Sequence, residues 1–573
     1  MEKIGTNREI KSMRLHSIYI EKYKQLRNFK MQFKNVEYSI GKEPFRFLIG
    51  KNGSGKTSLL EAIGLIFTRI LQDETPGFKF EIIYMMNVEG CNTTVTVMSN
   101  KKRPLLKGYK IKKAVDDISR LSVYIAKENE KPYKLDLRKR PFSQCVEYHP
   151  SRIIAYASGP TNIFEDVLLN SPEESIKSDI YDAREGAKKE TDYDMQLYEI
   201  DQSLRNLQRL YEDASYLNID GSTSKFVMFA LNTITPTAEI KNLVNQKDSY
   251  INLRKMLLDM IGGIEPVGVS IVVDEMKLKL LQSAEFSTNM GMLVEWLSID
   301  EELPEGTSPS HSWCITRKKG NKDITLSSEE LERIAYFEIV GQEKDDYHCP
   351  GFGVDINPFD LLAMLLVAKR EGLLLDIHLF FKHKELGGLF NESALSDGEY
   401  LWLGRMGLIL LSRENTKDNM LFLLDEPDVH LNESWNERFV ELIHKLSNRE
   451  NGRIPNEFII ATHSTLLLTD ADPDQLYLLE KYAGLGPKIT PLAISTFAAN
   501  RAEISKRIFG TNFQIGQYAM RLIEEKFNQN NKGELEKLLQ KVGPGYYRYR
   551  LYNKLQEIEL SEKGEGKDLT SDD

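Results

Sequence analysis

Residues 50–57 run Gly50-Lys51-Asn52-Gly53-Ser54-Gly55-Lys56-Thr57, the pattern GxxxxGK[ST], between a strand-like FRFLI and a helix-like SLLEAIGLIFTRIL. Strand, glycine loop and helix in that order make a phosphate cradle. Gly50, Gly53 and Gly55 let the backbone curl, so that N–H groups from Asn52 and Ser54 to Ser58 at the helix N-terminus point at an anion. Lys56 would reach the β- and γ-phosphates of ATP, and Thr57 would ligate Mg²⁺.

Two later runs end in groups suited to the rest of that chemistry. Leu421-Phe422-Leu423-Leu424-Asp425-Glu426 is a short apolar run closing on two carboxylates, the form of a buried parallel strand delivering acids to the sheet's carboxyl edge. Asp425 would hold Mg²⁺ through water, and Glu426 would orient or deprotonate the water that attacks the γ-phosphate. Phe458-Ile459-Ile460-Ala461-Thr462-His463-Ser464 is a second such strand, and His463 would hydrogen-bond the γ-phosphate and sense its loss. A fourth motif, Leu395-Ser396-Asp397-Gly398-Glu399, precedes the helical run YLWLGRMGLILL. Ser396 at N-cap and Glu399 three residues on form a capping box.

The order of glycine loop, LSDGE, LLDEP and ATHS is similar to that of ABC-type ATPases and unlike that of AAA+ proteins. LSDGE resembles the ABC signature in its SMC, RecF and OLD-like form. That resemblance implies that Ser396, Gly398 and Glu399 bind the γ-phosphate held by a second copy, so that ATP joins two heads, and that Asp428 lies in a loop crossing between them. The blocks LSDGEYLWLGRMGLILL, LFLLDEPDVHLNESW and IIATHSTLLLTD, with VGPGYYRYRL near the C-terminus, resemble RecF/OLD-related ATPases of antiphage loci. Within these the pattern is most similar to the Septu and retron-linked ATPase that works with an HNH nuclease. The resemblance implies a homodimer or higher oligomer, an HNH-type nuclease partner, a link to a retron reverse transcriptase with its noncoding RNA, and an ATPase that regulates the nuclease. No His-Asn-His motif and no TOPRIM-like acidic cluster is visible, so another chain would cut DNA. The rival reading is a RecF- or SMC-like ATPase of DNA repair or recombination. A transporter subunit is disfavoured, because such nucleotide-binding domains are roughly half this size.

These motifs need a large α/β scaffold, and 573 residues with 41% hydrophobic content exceed one core. The expected fold is an α/β P-loop head split by an insertion: a first lobe over 1–160, a mainly helical insertion with some strands over 161–385, and a second lobe over 386–500. A helical partner-docking extension over 501–560 and a disordered tail over 561–573 would follow. Helices are expected at DMQLYEIDQSLRNLQRLYEDA and from Asn252 to Ile261; VSIVVDEMKLKLL and the hairpin SWCITRKKGNKDITLS read as strands. The final helices should break at Gly543-Pro544-Gly545. Tyr546-Tyr547-Arg548-Tyr549-Arg550 interleaves aromatic and basic residues, suited either to stacking on nucleic acid or, the favoured reading, to packing of tyrosines on the head.

A balance of 75 Lys and Arg against 85 Asp and Glu, net -10, excludes a polycation built to coat nucleic acid and leaves a local basic groove open. Cys91, Cys145, Cys314 and Cys349 are scattered without a CxxC pair, arguing against a zinc ribbon or disulfide framework and fitting a reducing cytoplasm. The N-terminus lacks the apolar core of a signal peptide, and Leu361 to Ala368 is too short to span a bilayer and reads as a buried helix. Gln144 is the one candidate for a Q-loop glutamine, with a surface turn as the favoured reading. Tyr23, Lys24 and Arg27 remain open as residues near the nucleotide.

Overall fold

The computed structural model describes residues 13–34, 45–99, 121–158 except 129, 216–232, 250–274, 313–318, 358–413 except 371, 419–447, 456–511 except 483–485 and 493, and 515–565, with single positions 164, 167 and 278. The expected helix DMQLYEIDQSLRNLQRLYEDA and the hairpin tip after Lys318 lie outside the described residues. The chain divides into two compact units, Met1–Ala498 and Ala499–Asp573.

The first unit is built on a seven-stranded sheet in the order Gly486–Thr490, Leu476–Tyr482, Phe45–Ile49, Glu457–Thr462, Leu421–Asp425, Ile153–Ala157 and Tyr216–Ile219. All neighbours pair in parallel except the Gly486–Thr490 edge. Phe45–Ile49, Leu421–Asp425 and Glu457–Thr462 are buried at every position, which is why they do not alternate; Arg46 and Glu457, charged residues within these strands, are buried as a pair at 3.4 Å. Helix Lys56–Ile70 has thirteen of its 15 residues buried and shares a core with this sheet and with a second, antiparallel one. The second sheet runs Leu26–Gln32, Arg14–Tyr23, Phe80–Val88, Cys91–Met98, Ser122–Lys127, Tyr133–Lys134. The α/β P-loop architecture is as expected.

Over 161–385, expected as mainly helical with some strands, Ile264–Asp274 and Trp313–Lys318 fall on the expected strand segments, and two further features go beyond that expectation. Tyr216–Ile219 is an edge strand of the head sheet, paired in parallel with Ile153–Ala157; three of its four residues are buried by that docking, which nothing nearby in the chain announces. Ile264–Asp274 pairs with Trp313–Lys318 and with Leu374–His383, and the latter with Leu389–Asn391, giving a four-stranded sheet that straddles position 385. The expected helices appear as Tyr250–Met260 and Pro358–Arg370. Among the described residues no helix is long and apolar enough to cross a membrane.

The second unit consists of helices Arg501–Ile508, Gln517–Gln529, Lys532–Lys541 and Tyr546–Glu565, with Ile523, Leu535, Leu551 and Leu555 at its centre. The last two are broken at the Gly543-Pro544-Gly545 turn. The final helix continues through Glu565, past the expected start of a tail at 561. Tyr547 packs into this small core, whereas Tyr546 and Tyr549 are exposed. Arg548 donates to the carbonyls of Leu539 and Val542 and so closes the preceding helix.

Candidate functional site

The strand order explains the site. Glu457–Thr462 lies between the strand that feeds the glycine loop and Leu421–Asp425, so His463 emerges between Lys56 and Glu426. Lys56 Nζ donates to the Gly50 carbonyl at 3.1 Å and lies 2.6 Å from His463 Nε2. Glu426 Oε1 is 3.8 Å from Lys56 Nζ and 3.2 Å from His463 Nε2. The Thr57 hydroxyl donates to Asp425, at 3.1 Å and 3.0 Å from its two oxygens. Residues 52–57, Glu426, His463 and Gln25 line one pocket.

Gln25 is the residue that motif spacing misses. It sits at the tip of the Arg14–Tyr23/Leu26–Gln32 hairpin, which folds over the glycine loop. Gly55 has φ 104, and a side chain there would meet Pro487 of the head sheet's edge strand at 2.9 Å and Gln25 at 3.4 Å, so glycine is required by conformation and by the approach of Pro487. Of the other turn residues, Tyr23 packs on Phe78, Lys24 donates to Glu61 on the helix behind the loop at 2.8 Å, and Arg27 lies beside Gly486. Gln144 is exposed in the short turn Phe142–Gln144 and is not among the pocket residues.

Burial dominates the electrostatics. It pulls the Lys56 ammonium below its usual range against the opposing pull of Glu426, Asp425 and Asp428. It raises Asp425, and it pushes Glu426 up to about 7 although Lys56 acts the other way. Both partners of the Lys56–Glu426 pair thus move toward neutrality, so desolvation outweighs their attraction. His463 is pushed down to about 4 by burial and then by Lys56, which leaves its imidazole neutral at pH 7, a form in which one ring nitrogen can accept from the ammonium. Glu426 also has φ 50, a left-handed conformation uncommon outside glycine.

Asp428, expected at a loop crossing to a second copy, points inward. It is buried and accepts from the Thr462 hydroxyl at 2.7 Å, while His430 is the exposed residue of that turn. The Ser396–Glu399 capping box is formed: the Ser396 N–H and hydroxyl donate to Glu399 Oε2 at 2.9 Å and 2.7 Å. Ser396, Gly398 and Glu399 do not line the pocket of their own chain, and Ser396 is exposed. A side chain at Gly398 would come within 2.9 Å of the His430 carbonyl, so the helix start rests directly on the turn after Glu426.

The donor set fits a magnesium-bound nucleotide. Ser54 Oγ is buried inside the loop without a hydrogen-bond partner, and Thr57 with Asp425 offers hard oxygen donors side by side.

Compared with known proteins, residues 13–261 match a family model described as "AAA ATPase domain", and residues 297–469 match one described as "AAA domain, putative AbiEii toxin, Type IV TA system". Over 58 residues, 10% of this chain, it is 45% identical to the DNA replication and repair protein RecF of Rickettsia canadensis (strain McKiel). Over the same length it is 38% identical to RecF of Rickettsia bellii (strain OSU 85-389). The match covers 14% of the length of each of these curated relatives. The glycine loop, the parallel sheet and the two family matches make the chain an α/β P-loop protein similar to AAA-type ATPase domains over residues 13–261 and 297–469.

Proposed function

We propose that the chain binds ATP with Mg²⁺ in this pocket, pairs with a second copy around the nucleotide, hydrolyses it, and uses the cycle as a timed switch on a partner nuclease. The observation that carries this reading is the gathering of Lys56, Thr57, Asp425, Glu426 and His463 at one sheet edge while Ser396 and Gly398 stand outside that pocket. The loop amides and Lys56 hold the phosphates; Thr57 and Asp425 hold the metal, which when bound neutralises phosphate charge. Glu426 takes a proton from the attacking water, and His463 reads the γ-phosphate. Ser396 and Gly398 complete the neighbouring copy's site.

Ser396→Arg tests the shared site. Its side chain is exposed, whereas any side chain at Gly398 would push on His430. ATP affinity should stay within about twofold, because the variant's own pocket is intact, while ATP-driven pairing in sedimentation is lost and turnover falls about 100-fold. Pairing that persists in Ser396→Arg refutes the shared site.

The pH profile tests Glu426. A general base must be ionised, and its raised value places that ionisation near neutrality. The expected kcat/KM for ATP therefore falls as pH drops through about 7, a limb missing from the residual rate of Glu426→Gln. A flat profile between pH 6 and about 8 removes Glu426 as the base.

The nuclease and antiphage role rests on the resemblance of the signature, Asp425 and His463 blocks, and on the toxin system named in the second family description. The RecF similarity favours a repair ATPase instead. Gapped DNA that accelerates hydrolysis supports the repair reading; protection against phage that needs Lys56 and the neighbouring genes supports the defence reading.

A further inference from the structure

Helix Asp397–Arg413, which begins at the Ser396 cap, carries two buried arginines that none of these roles uses, Arg405 and Arg413, and Arg405 is the one that reaches the turn after Glu426. Arg405 Nε donates to the Tyr156 hydroxyl at 2.6 Å, and its guanidinium lies 5.1 Å from the centre of that ring. Its Nη1 donates to the carbonyls of Pro427 and of Val429, the latter at 2.9 Å. Both carbonyls belong to the turn that directly follows Glu426.

That turn is conformationally demanding. Glu426 has φ 50 and His430 φ 69, and a left-handed residue other than glycine is strained and persists only where its surroundings hold it. Within the described residues the turn's other bonds include Val429 N–H to the Glu426 carbonyl at 3.1 Å, Leu431 N–H to the Asp428 carbonyl at 3.3 Å, Glu426 N–H to the Ala461 carbonyl at 2.9 Å, and Thr462 to Asp428, none of which engages the Pro427 or Val429 carbonyl. The planar, rigid fork of Arg405 supplies the remaining clamp, and it comes from another element. Gly398 at the start of the same helix touches the His430 carbonyl, so the turn is held by that helix at two points.

We infer that Arg405 is a positioning residue that aims Glu426 at the nucleotide, and that by standing on the helix begun by Ser396 it makes Glu426 depend on where the signature loop sits. This rests on the ATPase reading above. A copy whose Ser396 engages its neighbour's nucleotide thereby sets the geometry of its own hydrolytic turn, which links the paired sites without any contact between Ser396 and Glu426.

Arg405→Lys keeps the charge and the stem and loses the fork. In the nucleotide-free chain, amide exchange over residues 426–431 should quicken about tenfold, with exchange in Phe45–Ile49 unchanged. ATP affinity should hold within about twofold while kcat falls about tenfold or more, a split that general unfolding does not produce. Tyr156→Phe removes one acceptor only and should give a smaller loss of the same kind, which keeps the test usable if Arg405→Lys folds poorly. Unchanged exchange and kcat in Arg405→Lys beside a hydrolysing wild type overturn the role of Arg405 alone, as does a parallel fall of affinity and kcat. Faster exchange beside a wild type that does not hydrolyse ATP supports the clamp and brings down the ATPase reading.

Discussion

In Lys56→Ala, affinity for ATP with Mg²⁺ should fall by about 100-fold or more, since one ammonium gives charge-assisted bonds worth roughly 1.5–3 kcal/mol each to two phosphates. The surroundings sharpen that expectation. Lys56 is 5% exposed, and Asp425, Glu426 and Asp428 all pull on it. Removing the cation leaves those carboxylates facing the incoming phosphates without compensation, so the loss exceeds that of two hydrogen bonds. The same change raises Glu426 further, because Lys56 is what holds it down against burial. Isothermal titration with ATP and Mg²⁺, beside a melting curve of the free chain, checks both parts. Near-normal affinity in a folded Lys56→Ala would mean that phosphates do not sit at this loop.

The residues of the site were legible in the sequence because each belongs to a contiguous motif that ends a regular element. A short apolar run closing on Asp425 is weak evidence alone, but beside the glycine loop it reads as a buried strand delivering acid to the sheet edge, and the run closing on His463 reads likewise as a strand delivering an imidazole. What the sequence could not disclose depends on contacts between distant segments. Gln25 reaches the pocket because an antiparallel hairpin folds over Gly55, and a glutamine in a basic turn carries no mark of that. Tyr216–Ile219 joins the head sheet through pairing with Ile153–Ala157, across a polar stretch that reads as helix. Asp428 reads as an interface residue from its place after Glu426-Pro427, yet Thr462 turns its carboxylate inward. Arg405 looks like a polar interruption in LWLGRMGLILL until its carbonyl partners are seen. Helical and strand periods report which face is buried, not which distant backbone group a buried cation will find.

Glu426→Gln is the companion experiment, and its outcome should be opposite in kind to that of Lys56→Ala. Glutamine keeps the length of the side chain and tolerates the left-handed backbone as well as glutamate does, but it cannot take a proton from water. Turnover should drop by about 100- to 10,000-fold, the usual contribution of a general base. Binding should hold or tighten, because a carboxylate that opposes the γ-phosphate has been replaced by a neutral amide. The variant should therefore accumulate as an ATP-bound pair that persists on a sizing column, where wild type disperses as it hydrolyses. Unchanged turnover in Glu426→Gln would falsify the role of Glu426. Combining it with Ser396→Arg separates two meanings of a trap. If ATP is enclosed by its own chain alone, the double variant retains nucleotide and pairs as the single one does. If Ser396 of a second copy completes the site, the double variant binds ATP and stays monomeric, because the chemistry that would end the pair and the contact that would form it lie on different copies.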